Sequence, residues 1–121
     1  PVQGFLKITR HPMLWAFALW GLLHIPANGA KGASVILFLS MIVLAFLGML
    51  HIDARRDFTH GEDWERYRDA TSIIPFAAVM DGKQTLSFSD IGGGRILVSL
   101  IVYVALLLTH QYVIGASPWP W

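Results

Sequence analysis

The stretch GASVILFLSMIVLAFLGML, from Gly32 to Leu50, carries no charged residue. A helix needs about 20 apolar residues to cross the hydrocarbon core of a bilayer, so this stretch reads as a membrane span. A second uncharged window, ILVSLIVYVALLLTHQYVI, runs from Ile96 to Ile114. A third, PMLWAFALWGLLHIPAN from Pro12 to Asn28, is slightly short but equally free of charge. All eight acidic residues fall between Asp53 and Asp90, in the segment that separates the second and last windows. These patterns predict an all-α polytopic transmembrane helix bundle with three spans, near 12–28, 33–51 and 95–114. With 55% apolar residues in 121 and a mean hydropathy of +0.53, a water-soluble fold burying three such helices is a poor fit.

The segment between the last two spans has structure of its own. Gly61 to Arg68, GEDWERYR, reads as a short amphipathic surface helix whose Trp64 and Tyr67 are expected to rest on lipid headgroups. Ile73 to Met80 is too short to span and is expected to be buried or re-entrant. Asp81-Gly82 is a turn, and Gly92-Gly93-Gly94 a flexible entry to the last span. Pro12 suits a first helical turn, whereas Pro26 should kink or end its helix, with Asn28-Gly29 and Gly32 forming a tight turn beyond it.

Lys7 and Arg10 precede the first span, Lys31 alone follows it, and Arg55, Arg56, Arg66, Arg68 and Lys83 lie after the second. The positive-inside rule then puts the N-terminal flank and the loop 52–94 in the cytoplasm, and the C-terminus outside with Trp119 and Trp121 at the outer interface. The opening phrase PVQGFLKITRHP has neither an initiator Met nor the layout of a secretory signal. It reads as the start of the C-terminal part of a longer protein, with residues 1–121 a single membrane domain. There is no cysteine, hence no disulfide, thiolate ligand or thiol redox pair. Membrane lipid is the expected partner, and nucleic acid is not.

Histidines within spans are the chemically informative residues, because ionisable groups in hydrocarbon are costly and usually line an interior site. At 1.5 Å per residue, His24 stands about 21 Å above Arg10 and His110 about 22 Å above Arg95, so both reach the outer half of the membrane. His51 and His11 lie lower, near the cytoplasmic surface. Helix bundles hold haem b by projecting histidines to either side of the iron, and His24 and His110 have the depth for that role. Trp20, one turn below His24, and Tyr103, two turns below His110, are then ring contacts. Spacing alone leaves a second reading open, in which these histidines only hydrogen-bond neighbouring helices; for His110 that is the simpler one. His11 with Arg10 reads as an interfacial anchor, His51 with Asp53 as a capping pair, and His60 as loop.

ITRHPMLWAFALWGLLHIPANG (Ile8 to Gly29), TSIIPFAAVMDGKQ (Thr71 to Gln84) and HQYVIGASP (His110 to Pro118) together resemble the NnrU family of membrane proteins. That family is associated with nitrite and nitric oxide reduction in bacterial denitrification, which implies an inner-membrane location. It is related to the plant and cyanobacterial 15-cis-zeta-carotene isomerases, haem b membrane enzymes acting on an apolar carotenoid. The stretch His51-Ile52-Asp53-Ala54-Arg55-Arg56 is similar to the H-x-D-R-R of those isomerases. Trp20-Gly21-Leu22-Leu23-His24 aligns with their W-C-L-A-H, whose histidine is a proposed haem ligand. The resemblance therefore implies haem b as cofactor and His24 as an iron ligand; a further ligand of the isomerases lies N-terminal to the region covered, so His24 is open to pairing with a residue outside this chain, in which case His110 need not touch iron. His110 stays a candidate metal ligand by its depth, and Trp20, Arg10 and His11 are candidate cofactor-binding residues. Their cysteine, implicated as an alternative ligand, is Gly21 here, which argues against a thiolate switch. No catalytic residue is assigned.

A more distant similarity points to another class. Membrane methyltransferases using S-adenosylmethionine share an R-H-P helix entry, acidic residues, an F-G-x-x-Y-x-x-Y motif and a following I-P. Here the counterparts are Arg10-His11-Pro12, Asp53, His60 to Tyr67 and Ile74-Pro75, with Phe replaced by His60 and the first Tyr by Trp64. On that reading the site would be a lower tier of His11, Asp53, Arg55 and Tyr67.

Overall fold

The computed structural model describes residues 2–119 and is all-α. A 3-10 turn over Gly4–Lys7 leads into α1 (Pro12–Ala27), α2 (Gly32–Thr59), α3 (Gly61–Ala70), two single turns α4 (Ala77–Met80) and α5 (Phe88–Ile91), and α6 (Gly93–Val113). Two helices, α2 and α6, are long and apolar enough to cross a membrane; α1 is apolar but has 16 residues, which gives it a length of about 24 Å.

Helix α1 starts with Pro12 at its first position, where the missing N–H costs nothing. Pro26 stands in the last turn, as expected of a helix-ending proline: the helix ends at Ala27, and Gly29 and Ala30 adopt positive φ in the turn. The α1–α2 hairpin is the main packing unit. Its helices meet on small residues, with Ala18 and Gly21 of α1 buried and Ala45 of α2 facing the same seam. Small residues let helix backbones approach closely where lipid supplies no hydrophobic drive for association. Above and below the crossing, Trp20 packs edge-on against Phe38 at 5.2 Å and Trp15 against Phe46 at 5.0 Å. The outer faces stay bare: Ile36 is 70% and Leu44 71% exposed. Continuous apolar exposure of that extent is unsuited to water and suited to lipid or to further helices.

Several expectations change in detail. Helix α2 does not end near 51 but runs on to Thr59, so Asp53, Arg55 and Arg56 are helical and the intervening loop begins later. His51 and Asp53 are not a capping pair: His51 is exposed in mid-helix and Asp53 is buried against α1. Trp64 of α3 is turned inward, 5% exposed, with its indole N–H donating to Asp57 and the Arg56 guanidinium over its ring. It therefore does not lie on headgroups. Gly93 and Gly94 are the first turn of α6, and only Gly92, at φ +86°, does turn work. Within Ile73 to Met80 only Ala78 is buried, while Ile74, Phe76 and Met80 are exposed; the segment lies along the N-terminal flank. Trp121 lies outside the described residues.

Helix α6 has no buried residue, and its main partner is α5 rather than the hairpin. It is tied at its base by the Lys7–Asp90 ion pair of 3.0 Å and meets α1 near its top, where His110 approaches His24.

Candidate functional site

At the upper end, α1 and α6 bring the His24 and His110 rings to a centroid separation of 6.4 Å with a 34° tilt. The similar depth read from the sequence is therefore a proximity in space. His24 also stacks on Trp20 at 4.4 Å and lies 5.3 Å from Phe38, so the imidazole sits in an aromatic cluster. The Nδ1 of His24 is 2.8 Å from the Trp20 carbonyl, and that of His110 is 2.7 Å from the Ala116 carbonyl. A carbonyl only accepts, so each Nδ1 carries the proton and each Nε2 keeps its lone pair. Neither Nε2 has a hydrogen-bond partner among the described residues. Two imidazoles with free Nε2 lone pairs are chemically able to donate to a metal. No group of three or more metal-binding side chains occurs among the described residues, so a bare ion has no full coordination shell here.

One turn below, an apolar pocket of about 340 Å³ between α1 and α2 is lined by Met13, Ala16, Phe17, Trp20 and Met41. Trp20 thus separates this pocket from His24. Gly21 faces α2, where a Cβ would stand 3.0 Å from the Phe38 carbonyl oxygen and 3.1 Å from Ile42 Cγ1. A side chain at 21 has to move the backbone of α2. Tyr103, named from its spacing to His110, is 62% exposed on α6.

The lower tier is built differently. Asp53 accepts from Arg10 Nε at 2.9 Å and from His11 Nε2 at 2.7 Å. The Arg10 Nη1 donates to the Arg68 carbonyl and to Thr71 Oγ1, whose own hydroxyl donates to the Tyr67 carbonyl. Thr9 and Trp15 both donate to the Ile73 carbonyl, and the Arg10 and Phe76 amides donate to the carbonyls of Ser72 and Ile8. No buried side-chain polar atom among the described residues lacks a partner. Burial, opposed by the Arg56 and Arg10 charges, raises the Tyr67 phenol above its ordinary value. Arg10 and His11 are thus engaged in joining α1, α2 and the segment after α3. They stand 14 and 13 residues before His24 on the chain, roughly 20 Å away along a helix.

The NnrU family model matches residues 2–118. The chain belongs to the NnrU family. Among curated proteins, this NnrU chain is 37% identical over 86 residues to the chloroplastic 15-cis-zeta-carotene isomerase of Arabidopsis thaliana, and 36% identical over the same length to that of Zea mays. Each match covers 69% of this chain and 22% of the relative, so the chain spans about a fifth of the length of these proteins. No solved structure matches it.

Of the residues singled out in the sequence, His24, His110 and Trp20 gather at the upper end, while Arg10 and His11 form the separate lower network. Sequence reasoning missed Phe38, whose place beside His24 depends on the helix crossing at Gly21. It also missed the Ala116 carbonyl, although Gly115 just before it was a signal for a chain reversal.

Proposed function

We propose that this chain binds haem b at the upper end, where His24 and His110 would hold the iron. The observation that carries the reading is the His24–His110 pair itself. Two imidazoles that would share one metal must stand close together, since metal–nitrogen bonds are about 2 Å. The separation of 6.4 Å fits that requirement. The donor chemistry fits as well, since both Nδ1 protons are held by backbone carbonyls and both Nε2 lone pairs remain.

A haem here would supply a redox-responsive iron centre, whose potential its ligands and surroundings would tune. The protein's contribution is to hold and orient. Trp20 and Phe38 flank the His24 ring, and the Trp20 carbonyl fixes its tautomer. Such a centre serves nitrite and nitric oxide reduction in the bacterial inner membrane, the association that family membership implies. A second reading, a haem-dependent isomerase of an apolar carotenoid, is favoured by the similarity to the plant isomerases and by the apolar pocket beside Trp20. The methyltransferase reading finds no support in the lower tier, where side-chain donors and acceptors are already engaged with one another.

Haemin titration into haem-free protein in detergent tests the site. Wild type is expected to saturate near one haem per chain with a Soret shift, and His24→Ala to bind at least tenfold more weakly. Equal binding by both would overturn the assignment. Product-isomer analysis in cells supplied with a cis-carotene separates the isomerase reading from the respiratory one.

A further inference from the structure

The two histidines of the upper tier are oriented by different means. His24 uses its own helix, donating Nδ1–H to the carbonyl one turn before it. His110 does not: its Nδ1 partner is the carbonyl of Ala116, six residues later and beyond the end of α6. That contact requires the chain to reverse immediately after the helix. The Ile114 and Gly115 amides close the last turn on His110 and Gln111, and Gly115 then takes φ +81°. Only glycine adopts that conformation freely; Asn tolerates the left-handed region better than other side chains, and a β-branched residue resists it. The reversal returns the Ala116 carbonyl to the histidine ring.

We infer that the Gly115–Ala116 turn is a positioning device for His110. It selects the Nδ1–H tautomer and holds the ring at the end of α6, so that Nε2 is the nitrogen left to coordinate. A histidine ligand's other ring N–H, bonded to a carbonyl, sets both tautomer and ring orientation. The site role of His110 rests on the haem reading above, whereas the control of its tautomer by the turn stands without it.

The test is 15N-edited NMR of the histidine rings in haem-free protein in detergent micelles, comparing wild type, Gly115→Val and Gly115→Asn. The wild-type His110 ring is expected as the Nδ1–H tautomer. Gly115→Val should lose that preference, with the His24 ring unchanged, and Gly115→Asn should restore most of it. An unchanged His110 tautomer in folded Gly115→Val, judged by the His24 signal, would overturn the inference. So would a wild-type His110 ring protonated on Nε2. Haemin titration of the same variants reads the haem assignment separately: absent binding in wild type sinks that assignment and leaves the tautomer result to decide the role of the turn.

Discussion

Gly21 fixes how near α1 and α2 come, because a Cβ there would press on the Phe38 carbonyl and on Ile42. Gly21→Val is expected to destabilise the hairpin by about 1–3 kcal/mol, as overpacking of close contacts does. Thermal unfolding in detergent checks this; an unchanged midpoint would mean that the helices cross more loosely. The same residue shows the limit of reading by resemblance. Aligned letters mark position 21 as a lost cysteine, whereas the geometry makes it a packing position at the crossing. Asp53 is the second decisive residue, accepting from both Arg10 and His11 while nearly buried. Asp53→Ala leaves two buried cationic or polar partners unanswered and should cost about 3–5 kcal/mol. Asp53→Asn, which keeps an acceptor, should cost less, and the same unfolding measurement ranks the two.

At the scale of elements, long apolar helices and their turns were legible because uncharged runs and Pro or Gly breaks are local signals. The end of α2 was not, since Asp53 to Thr59 is polar by composition but stays helical, with Asp53 bonded to Arg10 and His11 and Asp57 to Trp64 and Arg68 of α3. Trp64 was misread for a related reason: an aromatic on an amphipathic helix reads as lipid-facing until Asp57 and Arg56 are brought to it. The similar depth of His24 and His110 was legible from helical rise, whereas their proximity, Phe38 and the Ala116 carbonyl were set by tertiary placement. The tether at the base of α6 has its own pH response. The Ser87 backbone N–H, with the Lys7 ammonium beside it, holds the Asp90 carboxyl below its ordinary value. A lowered carboxyl contributes stability at neutral pH that fades as pH falls below about 4. Hydrogen exchange over Phe88 to Arg95 should therefore quicken, relative to its intrinsic rate, in acid. Asp90→Asn should be fast already at neutral pH; a flat wild-type profile would deny the tether.

Across the whole molecule, the buried polar network at one end ties the helices together, and the histidine pair at the other carries the proposed haem site. The tying end has an alkaline limit. A phenol raised by burial favours the protonated form in the folded state, so Tyr67 contributes stability below its ordinary value near pH 10, and this is lost as pH rises through the raised one. Tyr67→Phe should remove that component of alkaline unfolding, followed by ultraviolet titration of tyrosinate. The division of labour itself is tested most directly by absorption spectra of the purified protein, oxidised and then dithionite-reduced, for wild type, His24→Ala and His11→Ala. The account predicts a haem b spectrum that His24→Ala abolishes or shifts and that folded His11→Ala retains. A spectrum lost with His11 and kept without His24, or no haem in well-folded protein, would contradict it.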